Sequence, residues 1–102
     1  MLNVERLLFD SLRLVRWTFQ DVGDQVPMHA HREGGEHISI LVKGRVLCRG
    51  ENWEFSLDTP GKIADFVPGQ PHSFIAQEAD TVVINVYKVN EGSDTEGFDD
   101  AF

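Results

Sequence analysis

Between Leu14 and Val89 no hydrophobic period lasts long enough to make a helix, and the chain breaks instead into short alternating runs. "LVRWTFQ" (14–20) sets Val15, Trp17 and Phe19 against Arg16, Thr18 and Gln20, and "HISILVK" (37–43) sets Ile38, Ile40 and Val42 against Ser39, Leu41 and Lys43. "RVLCR" (45–49), "WEFSL" (53–57), "IADFV" (63–67), "HSFIA" (72–76) and "TVVINVYKV" (81–89) follow, separated by Gly44, Gly50, Pro60–Gly61 and Pro68–Gly69. Side chains that alternate between two faces, with turn residues at this spacing, predict an all-β sandwich or barrel of about eight or nine strands. Only "VERLLFDSLR" (4–13) has a helical option, about two turns, and its apolar residues fit a strand nearly as well. "VKGRV" (42–46) reads as a tight hairpin, because Gly44 accepts the positive φ that a short connection needs. "VPGQPH" reads as a stiff turn, since two prolines remove two backbone donors.

A chain of 102 residues holds one domain. It has seventeen acidic and nine basic residues, a net charge of −8. Five of the acids lie in the last thirteen residues, "NEGSDTEGFDDAF", so residues 1–89 carry twelve acids against nine bases. The acidity belongs largely to a tail at 90–102, which reads as a solvated appendage or, through Phe98 and Phe102, as a segment docked on a protein surface. An acidic chain is a poor match for nucleic acid, which is held mainly by Lys and Arg. No run approaches the ~20 apolar residues of a membrane helix, and the N-terminus lacks the basic start and apolar block of a secretory signal. Cys48 has no partner for an intrachain disulfide, and its apolar neighbours suggest an inert thiol. The expected compartment is therefore the cytoplasm.

The four histidines fall in two places. His29, His31 and His37 lie within "HAHREGGEH", and His72 follows the proline turn. On an extended strand His29 and His31 share a face. Two imidazoles side by side repel when protonated and pack poorly, whereas a divalent metal uses both. The loop "REGGE" is long enough to bring Glu36 or His37 back to the same point.

These residues resemble the two motifs of the cupins. "GDQVPMHAHREGGEHISILVKG" (23–44) matches the first, in which a glycine, five residues and HxH precede a glutamate and a closing glycine. "GKIADFVPGQPHSFIA" (61–76) resembles the second, with Gly69 and His72 in place, Pro68 one position late, and Ala76 where the family has asparagine. The resemblance implies a double-stranded β-helix, or jelly-roll barrel, over residues 1–89, and a metal held by His29, His31 and His72 plus one further ligand. Four intervening residues after His31 lead to Glu36, and six intervening residues before Gly44 lead back to His37. Alternation groups Glu36 with the more apolar set Ile38, Ile40 and Val42. The backward count is the firmer, because the loop absorbs an insertion more easily than a strand does. His37 is therefore taken as the fourth ligand, with Glu36 as the alternative ligand or as a partner orienting an imidazole.

Four neutral imidazoles leave an M(II) ion its full charge and, on an octahedral ion, two open positions. Fe(II) or Mn(II) suit such a site best, with Ni(II) or Zn(II) as further options. The expectation is a small metal-dependent enzyme, a dioxygenase, isomerase or lyase acting on a small organic molecule; the alternative is a non-catalytic metal- or ligand-binding module. With no attached DNA-binding domain in view, a regulator is not expected. Asp65, Gln70, Glu78 and Asp80 have no spacing diagnostic of catalysis, and Trp53, Phe66, Phe74 and Tyr87 suit a pocket wall or a core equally. "TVVINVY" is apolar on both faces, so a homodimer is expected to cover the surplus face.

Overall fold

The computed structural model describes residues 1–29, 37–66 and 69–88. They form nine strands: β1 (Leu2–Phe9), β2 (Leu12–Phe19), β3 (Gln25–His29), β4 (His37–Lys43), β5 (Val46–Arg49), β6 (Glu54–Leu57), β7 (Ile63–Phe66), β8 (His72–Ala76) and β9 (Thr81–Lys88). One sheet has the order β1-β2-β9-β4-β7 and the other β3-β8-β5-β6. Every pairing is antiparallel. The chain changes sheet at every connection except β1–β2 and β5–β6. Passing back and forth between the two sheets in this way, the strands wind into a jelly-roll barrel, the double-stranded β-helix expected from the sequence.

The helical option for residues 4–13 is not taken. β1 pairs with β2 along its whole length, joined at Asp10–Ser11, where Asp10 has a φ of 57°. Aspartate tolerates the left-handed conformation that a two-residue connection demands. The strand also lets Leu2 and Val4, on one parity, pack against the core, which two helical turns would not allow. No helix occurs among the described residues, so none is long and apolar enough to cross a membrane.

Gly44 does take a positive φ, 86°, but it does not close a hairpin. β4 pairs with β7 and β9, and β5 with β6 and β8, so Gly44 turns the chain from one sheet to the other. A Cβ there would stand 2.8 Å from Thr81 Cα. The Thr81 hydroxyl accepts the Arg45 N–H at 3.1 Å and donates to the Glu78 carbonyl at 2.9 Å, which fixes the corner.

Trp17, Phe19, Leu41, Val46, Phe74 and Val83 fill the barrel and are buried. Trp17 lies 4.8 Å from Phe74, ring centre to ring centre. One polar bridge crosses this interior: Ser39 Oγ donates to Asn85 Oδ1, and Asn85 Nδ2 donates to the Val15 carbonyl at 3.2 Å. Both side chains are buried, and their bonds remove most of the cost of burying polar atoms. Cys48 is buried as well, and burial pushes its thiol up to about 12, the inert thiol expected.

Candidate metal centre

β3 and β8 pair in register at Gln25–Ile75 and Val26–Phe74, then slip by one residue, so that His29 stands opposite His72. Strict alternation from the buried Val26 would turn position 28 inward and position 29 outward. The extra residue in β3 reverses this, leaving Met28 exposed and bringing His29 to the face of His72. Pro27 sits inside the irregularity, where a residue without an N–H costs no ladder bond.

The two imidazoles meet with ring centres 4.5 Å apart. Each is held by the carbonyl two residues before it: His29 Nδ1 lies 2.8 Å from the Pro27 oxygen, and His72 Nδ1 lies 2.8 Å from the Gln70 oxygen. A carbonyl only accepts, so Nδ1 carries the proton and the neutral ring presents its lone pair at Nε2. His72 is wholly buried, and Phe66 stacks on it at 4.3 Å with 23° between the planes. Burial, opposed by the Gln70 bond and helped by the neighbouring His29, lowers His72 to about 4. Burial lowers His29 too. Both rings are thus held neutral in one fixed tautomer.

His31 and Glu36, and the side chain of His37, lie outside what the structure describes. The backbone of His37 pairs with Phe66 on one side and Tyr87 on the other, both buried residues. Along β4 the inward set is Ser39 and Leu41, while Val42 is exposed and Ile38 and Ile40 are half-buried. The more apolar set, with which alternation groups Glu36, is therefore the outward one. Among the described residues no group of three or more His, Cys, Asp or Glu side chains gathers as a metal site, and the pair His29–His72 is what they contribute.

Of the other polar residues near the second motif, Asp65, Glu78 and Asp80 are exposed, and Gln70 acts through its carbonyl. Phe66 is a wall of the site and Phe74 crosses His72 edge to face at 5.7 Å. Trp53, half-buried, stacks on Phe66 at 6.2 Å. Two cations that sequence reasoning passed over belong to the inner face here. Arg13 stands opposite Tyr87, on the parity of the buried Val15 and Trp17. Arg6 stands opposite Val15 on the parity of Leu2 and Val4. Burial raises the Tyr87 phenol, and the charge of Arg6 acts against it. Parity in "LRLVRWTF" would have flagged Arg13 as an inward charge.

No protein-family model and no curated protein matches the chain. Solved structures do. KdgF from Halomonas sp. superimposes with a TM-score of 0.76 at 22% identity, over 87% of this chain and 79% of that one. An RmlC-like cupin from Desulfovibrio desulfuricans gives 0.71 at 21% identity, over 85% and 81%. An HTH_3 family transcriptional regulator from Vibrio cholerae gives 0.73 at 19% identity, over 87% of this chain and 51% of the regulator. At such identities the likeness is one of fold, and the fold is that of the cupins.

Proposed function

We propose that this protein is a cupin that holds one divalent transition metal through His29, His31, His37 and His72 and acts as a metal-dependent enzyme on a small organic molecule. The observation that carries the reading is the His29–His72 pair. Two neutral rings lie on one inner face, each fixed by an Nδ1–H bond to its own backbone and each leaving Nε2 as donor. That donor set suits Fe(II) or Mn(II), and Ni(II) or Zn(II) as well. The inward parity of β4 supports His37 over Glu36 as the ligand from that strand. A metal bound there would supply a Lewis acid, or in the case of Fe(II) a redox centre, suited to dioxygenase, isomerase or lyase chemistry. The chain's own part is to orient and dehydrate. Phe66 holds the His72 ring in plane and shields it from water, and the two carbonyl bonds fix the tautomers. Cys48, a lone and buried thiol, fits a reducing cytoplasm.

The test is metal analysis of protein purified without an affinity tag, beside His72→Ala, followed by oxygen uptake on enolizable and phenolic compounds. One metal per wild-type chain and its loss in the variant are expected; full metal content in His72→Ala at limiting metal would show the site to be elsewhere. A second reading, a ligand-binding module without chemistry, is favoured by the likeness to about half of a transcriptional regulator. A metal-loaded protein that binds small molecules but turns none over would select it.

A further inference from the structure

We infer that Trp53 is a positioning residue of the histidine site: its indole holds Phe66 flat against His72 across the seam between β6 and β7. The inference rests on the reading of His29 and His72 as a metal-binding pair and adds the side chain that sets the plane of one of them.

The first support is the seam itself. β6 ends the four-stranded sheet and β7 the five-stranded one, and no strand pairing joins them. Side chains must therefore close the barrel here, and they do so by stacking. Phe55 lies on Trp53 at 5.5 Å with 20° between the planes, Trp53 on Phe66 at 6.2 Å and 28°, and Phe66 on His72 at 4.3 Å and 23°. The column starts at β6, crosses to β7 and returns to β8. The second support is contrast. Phe74 meets Phe66 at 75° and His72 at 84°, and Trp17 meets Phe19 at 81°. Edge contacts of this kind fill the core, whereas a flat contact fixes one ring plane against the next. The bond to the Gln70 carbonyl sets one edge of the His72 ring, and the stacked Phe66 sets its plane. Burial is graded along the column: His72 is wholly buried, Phe66 nearly so, Trp53 half-buried and Phe55 exposed. The third support is the turn that carries Trp53. The Gly50 N–H donates to the Trp53 carbonyl at 2.8 Å and closes the β5–β6 connection. A Cβ on Gly50 would stand 2.1 Å from Cε2 and Nε1 of the indole. The indole therefore rests on the bare backbone of its own turn, which fixes where it stands. An aliphatic residue at this position would bury apolar area and present no plane.

The test follows the ¹H–¹³C signals of the His72 ring, whose protons lie in the ring current of Phe66, in chelator-stripped protein. Trp53→Leu keeps an apolar side chain without a plane, and Gly50→Ala displaces the indole without changing it. Both should move the His72 ring signals. Trp53→Phe restores a ring that can stack and should leave them near their wild-type positions. In Mn(II) titrations Trp53→Leu and Gly50→Ala should bind about tenfold more weakly, the lower end of the ~10–100-fold effect of losing an orienting partner, and Trp53→Phe should stay within about threefold of wild type. Unchanged His72 signals in both Trp53→Leu and Gly50→Ala would overturn the inference and leave Trp53 as apolar cover alone. So would a Trp53→Phe protein that behaves like Trp53→Leu. Because the ring signals are read without metal, the two readings fail separately. Wild-type Mn(II) binding with unmoved His72 signals in the variants removes the positioning role alone. Moved signals in a protein that binds no metal remove only the metal assignment.

Discussion

Acidifying the metal-free protein from pH 7 to pH 5 should destabilise it chiefly through His72, the more strongly lowered of the two described imidazoles. The ring is wholly buried, and burial lowers it from 6.5 to about 4. Above pH 6.5 it is neutral in both folded and unfolded chains and contributes no pH dependence. Between 6.5 and 4 the unfolded chain binds a proton that the folded one resists, so stability falls as pH falls. Each pH unit costs about 1.4 kcal/mol, so about 2 kcal/mol is lost by pH 5 and about 3 kcal/mol by pH 4. That is a large share of a small domain's ~5–15 kcal/mol. The assay is urea unfolding of chelator-stripped wild type and His72→Asn across this range. Asparagine keeps a donor for the Gln70 carbonyl and does not titrate. Asp24 and Asp58, held below the usual carboxylate range by the N-terminal ammonium and by Lys62, and His29, lowered by burial, also lose stabilisation in acid, but in both proteins. The difference between the two proteins therefore isolates His72. A difference that stays flat from pH 7 to pH 5 would refute the argument.

Glu36 and His37 separate by mutation: His37→Ala should abolish metal retention, whereas Glu36→Ala should lose no more than about 10–100-fold in affinity, the effect of losing an orienting partner. The opposite ranking in a metal titration would move the ligand. Gly44→Ala should lower stability by about 2 kcal/mol or more, since an L-residue is strained at a φ of 86° and its Cβ would meet the Thr81 backbone; unchanged thermal melting would contradict the corner geometry. A homodimer is expected from the outer face of the five-stranded sheet. Leu7 and Ile63 are 62% and 59% exposed there, flanking the half-buried Leu14, Ile38, Ile84 and Val86. β1 extends the edge of this sheet and leaves its outer face uncovered by the N-terminal segment. A twofold contact of ~800 Å² per partner would suffice. Light scattering at micromolar concentration should give twice the mass of the 11.5 kDa chain, and a single-chain mass would end the dimer reading.

The fold was legible wherever one strand carried its own evidence. In β2, Val15, Trp17 and Phe19 are all buried, as their alternation requires. β1 was ambiguous because "VERLLF" suits either period, and the choice is made by its eight-residue pairing with β2, which no local window contains. Gly44 shows the same limit. Its positive φ is a local property and was readable; whether the flanking strands pair with each other or part into two sheets depends on β7, β8 and β9, more than fifteen residues away.

At the candidate site the divide falls differently. His72 follows a turn that its own neighbours define, so its orientation was foreseeable. His29 faces inward only because β3 gains a residue between Val26 and His29, and Pro27 was the one signal of it in the sequence. On β4 the apolar pattern pointed the wrong way. Ile38, Ile40 and Val42 are the more hydrophobic set, yet Ser39 and Leu41 turn inward. Hydrophobicity identifies the inner face only when the outer face meets water. Here the inner face holds a polar bridge, Ser39 to Asn85, one step from His37 along the strand's inward parity, while the outer face is apolar across several strands. A strand with a polar bridge on its inner face and an apolar outer face reverses the usual contrast. For such a strand, fixed points such as Gly44 are better guides to register than the pattern of apolar residues.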